Sequence, residues 1–321
     1  MGLDPMLFRP EGIPGHSTVL EELGWLDPLE WYRTWQGRGG ADLGATAWPF
    51  PVTPEWLWGV GFPLLTGLEK RASSGVRSVV GLSGLPGCGK TSLAAWIQQV
   101  SHELGLSVAV VSLDDFYWPA EAMDLAMAGN PWSVPRALPG SHDLALMQQC
   151  LRAWRAGGEW SAPRFDKSLR EGRGDRAGWS SSPADVVLLE GWFIGASPDA
   201  GTDLDPGLNL PEKEYRTVVR SALKTYQPIW SELSELWHLR APSVSATRLW
   251  KSQQEASMEK ARGIRLPDRA LSQFIRMIES ALPPEALQTI SMANVVVELT
   301  ETRVIRELRC DQLSLSSSET G

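Results

Sequence analysis

The fold is decided by the stretch Ser78-Val79-Val80-Gly81-Leu82-Ser83-Gly84-Leu85-Pro86-Gly87-Cys88-Gly89-Lys90-Thr91. Its apolar first half, 78–83, predicts a strand, and residues 91–104 predict a helix that Gly105 ends. Residues 84–91 between them match the pattern G-x-x-x-x-G-K-[ST] in full. Glycines let successive backbone N–H groups turn toward a phosphate, and the helix adds its positive N-terminal end. The sequence therefore predicts a nucleotide-binding P-loop, because strand and helix flank the loop in the required order.

The loop supplies the candidate residues for binding ATP and Mg²⁺. We expect Lys90 to bridge the β- and γ-phosphates and the Thr91 hydroxyl to hold Mg²⁺. Cys88 either fills a variable position of the loop, which is the favoured interpretation, or is a redox-sensitive thiol at a helix N-terminus. The full predicted phosphate-binding set is Gly84, Gly87, Cys88, Gly89, Lys90, Thr91 and Ser92.

Further apolar runs predict the rest of an α/β fold. Residues 108–113 and 186–189 are near-continuous apolar runs that predict the second and third strands, and 236–239 is a weaker candidate for a fourth. Residues 293–299 and 304–308 are expected to pair with each other. Together they predict a P-loop NTPase fold, a parallel sheet covered by helices on both faces. The Gly/Pro/Asp-rich segment 195–211 predicts a surface loop.

The predicted domains are a helical extension over residues 1–75, a kinase domain over 76–313 and a disordered tail over 314–321. The extension is rich in tryptophan. These side chains either pack the extension against the core, which we favour, or form a stacking platform for bases. A platform would require interleaved Lys and Arg, which the segment lacks. The tryptophans concerned are Trp25, Trp31, Trp35, Trp48, Trp56 and Trp58.

Composition restricts the function further. The net charge of −8 argues against a nucleic-acid partner, because binding a phosphate backbone requires clustered Lys and Arg. No apolar run approaches the ~20 residues that span a bilayer, and residues 1–14 lack the order of a targeting peptide. We therefore expect a cytoplasmic protein without membrane contact. The spacing of Cys88, Cys150 and Cys310 predicts neither a metal site nor a disulfide framework.

Acidic residues follow two of the predicted strands. Asp114 and Asp115 end the second strand, and Glu190 ends the third. Each alone could be a helix cap or a solvated loop residue, but ligands of an open parallel sheet collect at the carboxyl ends of its strands. Phosphoryl transfer to a hydroxyl needs one carboxylate at the acceptor and another near Mg²⁺. Asp114 is the candidate catalytic base, and Glu190 is the candidate residue on the metal side.

Two basic segments could complete a kinase site. The mixed-charge stretch 164–176 is either a solvated loop or an anion pocket, and we favour a pocket because guanidinium groups bind carboxylates bidentately. The helix that begins near Arg248 and includes Arg262 is either a solvated surface or part of a lid around 245–270. Pro139-Gly140-Ser141-His142-Asp143, taken alone, is a turn and a helix cap ahead of a helix over 144–156.

Several of these motifs together resemble the uridine kinase, phosphoribulokinase and pantothenate kinase superfamily, and within it the D-glycerate 3-kinases of plants and cyanobacteria. The resemblance runs from about 79 to 265. It is carried by the P-loop and by Ser112-Leu-Asp-Asp-Phe-Tyr117, Pro139-Gly-Ser-His-Asp143, Pro163-Arg-Phe-Asp-Lys-Ser168, Gly172-Arg-Gly-Asp-Arg176, Pro183-Ala-Asp-Val-Val-Leu-Leu-Glu-Gly-Trp192 and the helix that begins near Arg248.

The resemblance implies a reaction and a set of acceptor-binding residues. It places Asp114 at the catalytic-base position, Glu190 at a Walker-B-like position, and Arg248 and Arg262 in the lid. Glycerate offers a primary hydroxyl for Asp114 and a carboxylate for a basic pocket. The candidate acceptor-binding residues are Asp115, Tyr117, His142, Arg164, Asp166, Lys167 and Arg173.

Two alternatives to an ATP-dependent glycerate kinase stay open. One is a kinase of the same superfamily with another acceptor, such as a nucleoside, pantothenate or a sugar phosphate. The other is a P-loop regulatory protein, which the sequence disfavours because no guanine-reading motif is found. The oligomeric state is not predicted.

Overall fold

The structure is a computed structural model that describes residues 12–46, 48, 52–202, 205–262 and 266–310. The predicted tail over 314–321 lies outside these residues. Within them the strands are β1 (Ser78–Gly84), β2 (Val108–Ser112), β3 (Trp160–Asp166), β4 (Asp175–Ser182), β5 (Val186–Gly191), β6 (Leu233–Arg240), β7 (Val295–Leu299) and β8 (Ile305–Cys310). The helices are α1 (His16–Glu22), α2 (Pro28–Gly37), α3 (Gly40–Thr46), α4 (Pro54–Trp56), α5 (Phe62–Ala72), α6 (Lys90–Glu103), α7 (Ala120–Ala126), α8 (Leu144–Arg155), α9 (Leu210–Lys224), α10 (Gln227–Trp230), α11 (Ala246–Arg262), α12 (Asp268–Ser280) and α13 (Pro284–Gln288).

The central sheet of the described residues has six strands in the order β2-β5-β1-β6-β7-β8. The first five are parallel, and β8 runs antiparallel to β7 at the edge. Every residue of β1 and of β5 is buried, as expected for apolar strands covered on both faces. The predicted α/β class and the predicted pairing of β7 with β8 are therefore confirmed.

The strand order determines which loops meet at one edge. Moving outward from β1, the chain places β5 and then β2 on one side, and β6 and then β7 on the other. The carboxyl ends of these strands carry the P-loop after β1, Glu190 in β5, Asp114 after β2, α11 after β6 and the turn 300–304 after β7. With strands about 4.8 Å apart, roughly 19 Å separates the β2 end from the β7 end.

Part of the segment that was predicted to be a charged loop forms a two-stranded sheet. Strands β3 and β4 pair antiparallel and are joined by residues 167–174. The sequence pattern missed this hairpin because β4 is mostly exposed and has no alternation of apolar residues. The predicted surface loop over 195–211 ends earlier than expected, because Asn209 and Glu212 form a capping box that starts α9 at Leu210.

The tryptophan-rich N-terminal segment forms a helical layer on the sheet. Trp31 and Trp35 are fully buried, and both donate their indole N–H to the Thr66 hydroxyl oxygen at 3.0 Å. At the end of α5, Arg71 forms a buried ion pair with Glu235 of β6 at 2.7 Å. Trp31, Trp35, Trp56 and Trp58 belong to the same buried cluster as the sheet, and Trp25 and Trp48 are partly buried against it.

None of the helices in the described residues is long and apolar enough to cross a membrane.

Candidate active site

The P-loop adopts a conformation that its glycines make possible. Gly87 and Gly89 have φ of 85° and 108°, in the left-handed region. At Gly84, a Cβ would lie 2.9 Å from the carbonyl oxygen of Leu239, so a side chain does not fit there. The loop leads directly into α6, whose first residue is Lys90. Backbone N–H groups and the helix N-terminus therefore form a cradle that fits a phosphate chain.

A cavity of about 1460 Å³ opens along the carboxyl edge of the sheet. Because pockets for a single small ligand are typically about 300–1,000 Å³, this space can hold a nucleotide together with a small acceptor. The structure brings twelve of the predicted site residues to its wall. They are Gly87, Cys88, Gly89, Lys90, Thr91, Ser92, Asp114, Asp115, Tyr117, Lys167, Arg173 and Glu190.

Asp114 lies at one end of the cavity among cationic and polar groups. It belongs to a 3₁₀ turn, 113–116, that Ser112 caps at the end of β2. One carboxylate oxygen accepts a hydrogen bond from Lys167 Nζ at 2.6 Å, and the other lies 4.0 Å from His142 Nε2. Burial opposes ionisation, but the charge of Lys167 and the imidazole of His142 hold the pKa of Asp114 well below its usual range. Asp114 is therefore a carboxylate, able to accept a proton.

His142 is held behind Asp114 by a short chain of hydrogen bonds. The Tyr226 hydroxyl oxygen accepts a bond from the Gly140 N–H at 2.9 Å and lies 2.7 Å from His142 Nδ1. In the tautomer that carries the ring proton on Nε2, the Tyr226 hydroxyl donates to Nδ1 and the ring N–H faces Asp114. Burial lowers the pKa of His142, so the ring is neutral. His142 does not line the cavity; it lies behind Asp114, and its ring stacks on Tyr117.

The two other predicted acidic residues differ in what they contact. Glu190 is buried beside the P-loop, and burial raises its pKa while the nearby Lys90 opposes that rise. Asp115 uses its two carboxylate oxygens to accept backbone N–H groups of Ser112 and Phe165, both at 3.2 Å. Asp115 therefore joins the end of β2 to the β3–β4 hairpin, although it also lies in the cavity wall.

Most of the basic segment 164–176 is paired within the protein. Arg170 and Arg173 each bind Asp124 at 2.6 Å. Arg176 binds Asp143 and the Tyr117 carbonyl. Of the predicted cations here, Lys167 alone contacts an acidic residue of the candidate site.

Two other residues predicted in this segment do not line the cavity. Arg164 is exposed on β3. The Asp166 carboxylate accepts hydrogen bonds from the Ser168 backbone and hydroxyl, at 2.8 and 2.6 Å, which shapes the start of the turn.

Helix α11 covers most of the segment that was predicted to form a lid, but Arg248 does not face the cavity. Its guanidinium is exposed and pairs with Glu279 of α12 at 2.6 Å. The side chain of Arg262 lies outside the described part of the chain. The cation that α11 presents to the cavity is Lys251, which is 8% exposed and 3.2 Å from Glu255. The resemblance to P-loop kinases had implied the two arginines instead, because lid arginines in that superfamily neutralise the transferring phosphoryl group.

A second wall lies on the far side of the P-loop from Asp114. Arg303, in the turn between β7 and β8, donates to the Gly87 carbonyl at 2.7 Å and to Gln253 of α11 at 2.8 Å. The Trp56 indole donates to the Arg303 carbonyl at 2.8 Å. Arg303 has a φ of 62°, which is uncommon for a residue with a side chain. This turn therefore connects the P-loop, the lid helix and the N-terminal layer.

The thiol of Cys88 is fully buried, and burial raises its pKa. A buried thiol that stays protonated is a poor nucleophile, so the structure favours the interpretation of Cys88 as a filler of the loop.

No group of three or more His, Cys, Asp or Glu side chains in the described residues has the geometry of a metal site. The Thr91 side chain is exposed at the cavity wall next to the phosphate cradle, and Glu190 lines the same wall. A hydroxyl and a carboxylate beside a phosphate site suit Mg²⁺, which commonly takes one or two protein oxygens together with substrate phosphates and water.

The sequence relatives of the chain are kinases. Residues 79–198 match the model of the phosphoribulokinase / uridine kinase family. The chloroplastic D-glycerate 3-kinase of Arabidopsis thaliana is 30% identical over 213 residues, which cover 61% of this chain and 45% of that protein. The uncharacterized kinase mug58 of Schizosaccharomyces pombe is 30% identical over 230 residues, which cover 66% of this chain and 82% of that protein. The match therefore spans less than half the length of the plant relative.

Solved structures share the fold. D-glycerate 3-kinase from Cryptococcus neoformans superposes with a TM-score of 0.64 at 22% identity, covering 77% of this chain and 96% of that one. The YGR205w protein superposes with a TM-score of 0.59 at 23% identity, covering 74% and 91%. At these identities the likeness shows the fold, while the P-loop geometry and the sequence relatives carry the assignment. The chain belongs to the phosphoribulokinase / uridine kinase family.

Proposed function

We propose that the protein transfers the terminal phosphoryl group of ATP to the primary hydroxyl of D-glycerate, which gives 3-phospho-D-glycerate and ADP. The observation that carries this proposal is the ionised Asp114, paired with Lys167 at 2.6 Å in a cavity that also contains the P-loop. Two relatives support the acceptor, because their names describe D-glycerate 3-kinases. An acid acceptor also suits a cavity end that contains cations.

In this proposal the two sides of the P-loop hold different parts of the substrates. The terminal phosphate must point toward Asp114, which follows β2. The nucleoside of ATP then extends to the opposite side, toward Trp56 and Arg303 near the end of β7. Lys90 binds the phosphates, and Thr91 and Glu190 hold Mg²⁺, which neutralises phosphate charge when it is bound.

Asp114 acts on the acceptor. The hydroxyl oxygen at C3 attacks the terminal phosphorus while its proton passes to the Asp114 carboxylate. The bond between that phosphorus and the bridging oxygen breaks, and ADP leaves with the electron pair. Lys167 keeps Asp114 ionised before the acceptor binds, and Lys251 of α11 supplies positive charge from the lid side.

An acceptor screen tests the proposal. ADP release is measured with D-glycerate, L-glycerate, uridine, pantothenate and ribulose 5-phosphate, and with no acceptor. We expect kcat/KM for D-glycerate to exceed that of the other acceptors by at least about 100-fold, a factor that a buried charged contact can supply. Faster turnover of another acceptor, or ADP release that is independent of any acceptor, would contradict it.

A further inference from the structure

Arg136, at the Asp114 end of the cavity, has no carboxylate partner among the described residues. Arg136 lines the cavity and uses Nη1 to donate to the carbonyl oxygens of Gly172 and Arg173, at 2.7 and 2.8 Å. Within the described residues its Nε and Nη2 have no hydrogen-bond partner, and it forms no ion pair. By contrast, Lys167 is paired with Asp114, and Arg173 is paired with Asp124.

The loop that contains Arg136 is held in an unusual conformation. Ser133 and Ala137, on either side of it, have φ of 53° and 86°, in the left-handed region that residues with side chains rarely adopt. Every residue from 133 to 137 lines the cavity. Strained backbone of this kind persists where the surroundings fix it, and it is concentrated at ligand sites.

The surroundings fix this loop through several hydrogen bonds. Asn130 donates to the Val134 carbonyl at 2.9 Å and accepts from the Val134 N–H at 3.0 Å. The Trp192 indole, which follows the end of β5, donates to the Ala137 carbonyl at 2.9 Å. Arg136 itself ties the loop to the β3–β4 turn. The guanidinium is thus held in place before any ligand arrives, which is a requirement of a selective anion site.

Arg136 is also next to the groups that the proposed reaction uses. Electrostatic contacts link it to Lys167 and to Tyr117, both of which interact with Asp114. The Nε and Nη2 donors form one edge of a planar fork, which is the geometry that binds a carboxylate with two parallel hydrogen bonds.

We propose that Arg136, with Lys167 beside it, forms the carboxylate-binding subsite for a small hydroxy-acid acceptor. This inference rests on the proposed function and adds the residue that selects an acid over a neutral alcohol. The acceptor's carboxylate takes the two free donors of Arg136, and its hydroxyl is directed to Asp114. The arginines of 164–176 that the sequence favoured for this role are paired elsewhere or lie outside the cavity wall.

The test compares an acid with a neutral acceptor that carries the same primary hydroxyl. Turnover of D-glycerate and of glycerol is measured for the wild type, Arg136→Gln, Arg136→Lys and the control Arg152→Gln. Arg152 is exposed on α8, so its substitution removes the same charge without touching the cavity. We expect Arg136→Gln to lower kcat/KM for D-glycerate roughly 10- to 150-fold, the range for hydrogen bonds to a charged group. Glycerol should change less than about twofold.

A conservative variant and a binding control complete the comparison. Arg136→Lys keeps one charge but loses the fork, so we expect a loss for D-glycerate that is intermediate between wild type and Arg136→Gln. The Kd for ADP should stay within about twofold of wild type in every variant, which shows that the site is folded. Equal losses for glycerol and D-glycerate, or no loss for either, would overturn the carboxylate subsite while leaving the kinase reaction standing.

A binding measurement separates this inference from the proposed function. Lactate carries the carboxylate and the 2-hydroxyl of glycerate but lacks the primary hydroxyl, so it can bind without being phosphorylated. We expect calorimetry to detect lactate binding to the wild-type ADP complex and to Arg152→Gln, but not to Arg136→Gln. If this pattern is found while D-glycerate is not phosphorylated, the subsite stands and the proposed function fails. Lactate that binds wild type and Arg136→Gln equally, or neither, would overturn the subsite.

Discussion

Asp114 is the residue on which the proposed chemistry depends most. Asp114→Asn keeps the shape of the side chain but cannot accept the proton of the acceptor. We expect kcat to fall by roughly 10²- to 10⁴-fold, the usual contribution of a general base. Lys167 would lose its charged partner, but the P-loop is untouched, so the Kd for ATP should stay within a few-fold. Calorimetry and single-turnover kinetics measure the two quantities, and a near-normal kcat would remove Asp114 from the role of base.

His238 makes the stability of the protein depend on pH. Burial lowers the pKa of this β6 side chain to about 4, below the usual histidine value of about 6.5. Between these values the unfolded chain takes up a proton that the folded chain does not, so the free energy of unfolding falls as pH drops from 6.5 toward 4. Converting the shift gives a loss of ~3 kcal/mol in that window.

Urea unfolding of the wild type and of His238→Gln at several pH values measures this effect. Near pH 5, the variant should take up about one proton fewer than the wild type when it unfolds, because glutamine does not titrate. The other buried histidines, His16 and His142, also have lowered pKa values, so both proteins keep part of the dependence. If the free energy of unfolding changes with pH equally in the two proteins, His238 is protonated in the folded state.

At the scale of single residues, sequence predicted the P-loop and the acids but not all of the cations. Lys90 follows from the P-loop pattern, and Glu190 follows from its place at the end of a strand that the local pattern identifies. Arg136 and Lys251 could not be chosen in this way. Their orientation depends on which carbonyls and carboxylates lie nearby in the folded chain, and Arg248 looked equally suitable until its pairing with Glu279 was known.

The lid helix α11 offers a direct comparison between two of its cations. Lys251→Ala removes the ammonium that faces the cavity and leaves Glu255 without its partner, so we expect kcat/KM for ATP to fall by roughly 10- to 100-fold. Arg248→Ala breaks an exposed pair with Glu279, and such pairs contribute ~0–1 kcal/mol. Turnover of that variant should therefore stay within about twofold of wild type.

Steady-state kinetics at varied ATP concentrations measure both variants, with circular dichroism as the check on folding. A larger loss for Arg248→Ala than for Lys251→Ala would contradict the structural placement and restore the arginine to the lid role.

At the scale of elements, prediction succeeded where one segment carries its own signal. Strands β1, β2 and β5 are apolar runs bounded by loops, and they need no knowledge of the rest of the chain. The β3–β4 hairpin was missed because β4 reads Asp-Arg-Ala-Gly-Trp-Ser-Ser-Ser and its inward residues are not apolar. It is held by pairing with β3 and by Asp115, and the sequence pattern contains neither contact.

At the scale of the whole molecule, we expect the free energy of unfolding to depend on the Thr66 hydroxyl in the N-terminal layer. Thr66→Val keeps the shape of the side chain but removes the acceptor of two buried indole N–H groups, those of Trp31 and Trp35. An unsatisfied buried donor costs about 1–3 kcal/mol, so we expect a loss of ~2–6 kcal/mol in the free energy of unfolding. Thr66→Ser keeps the oxygen and should lose less than about 1.5 kcal/mol. Denaturant unfolding followed by tryptophan fluorescence measures both, and equal stability of the two variants would contradict the argument.

The division of the chain at about residue 75 stays a prediction. Buried side chains from Ile13 to Leu308 form one cluster, and the buried Arg71–Glu235 ion pair joins the N-terminal layer to the sheet. The tryptophans identified the layer in the sequence. They could not show that Trp56 would reach the P-loop, because the Trp56 indole is held by a hydrogen bond to the turn after β7, 247 residues away.

The most direct test of the central claim is to identify the product by ³¹P NMR after incubation with ATP, Mg²⁺ and D-glycerate. The account predicts one phosphomonoester on C3 of glycerate, formed in equal amount with ADP and formed roughly 10²- to 10⁴-fold more slowly with Asp114→Asn. Inorganic phosphate and ADP alone, a phosphate on C2, or no consumption of ATP would contradict it.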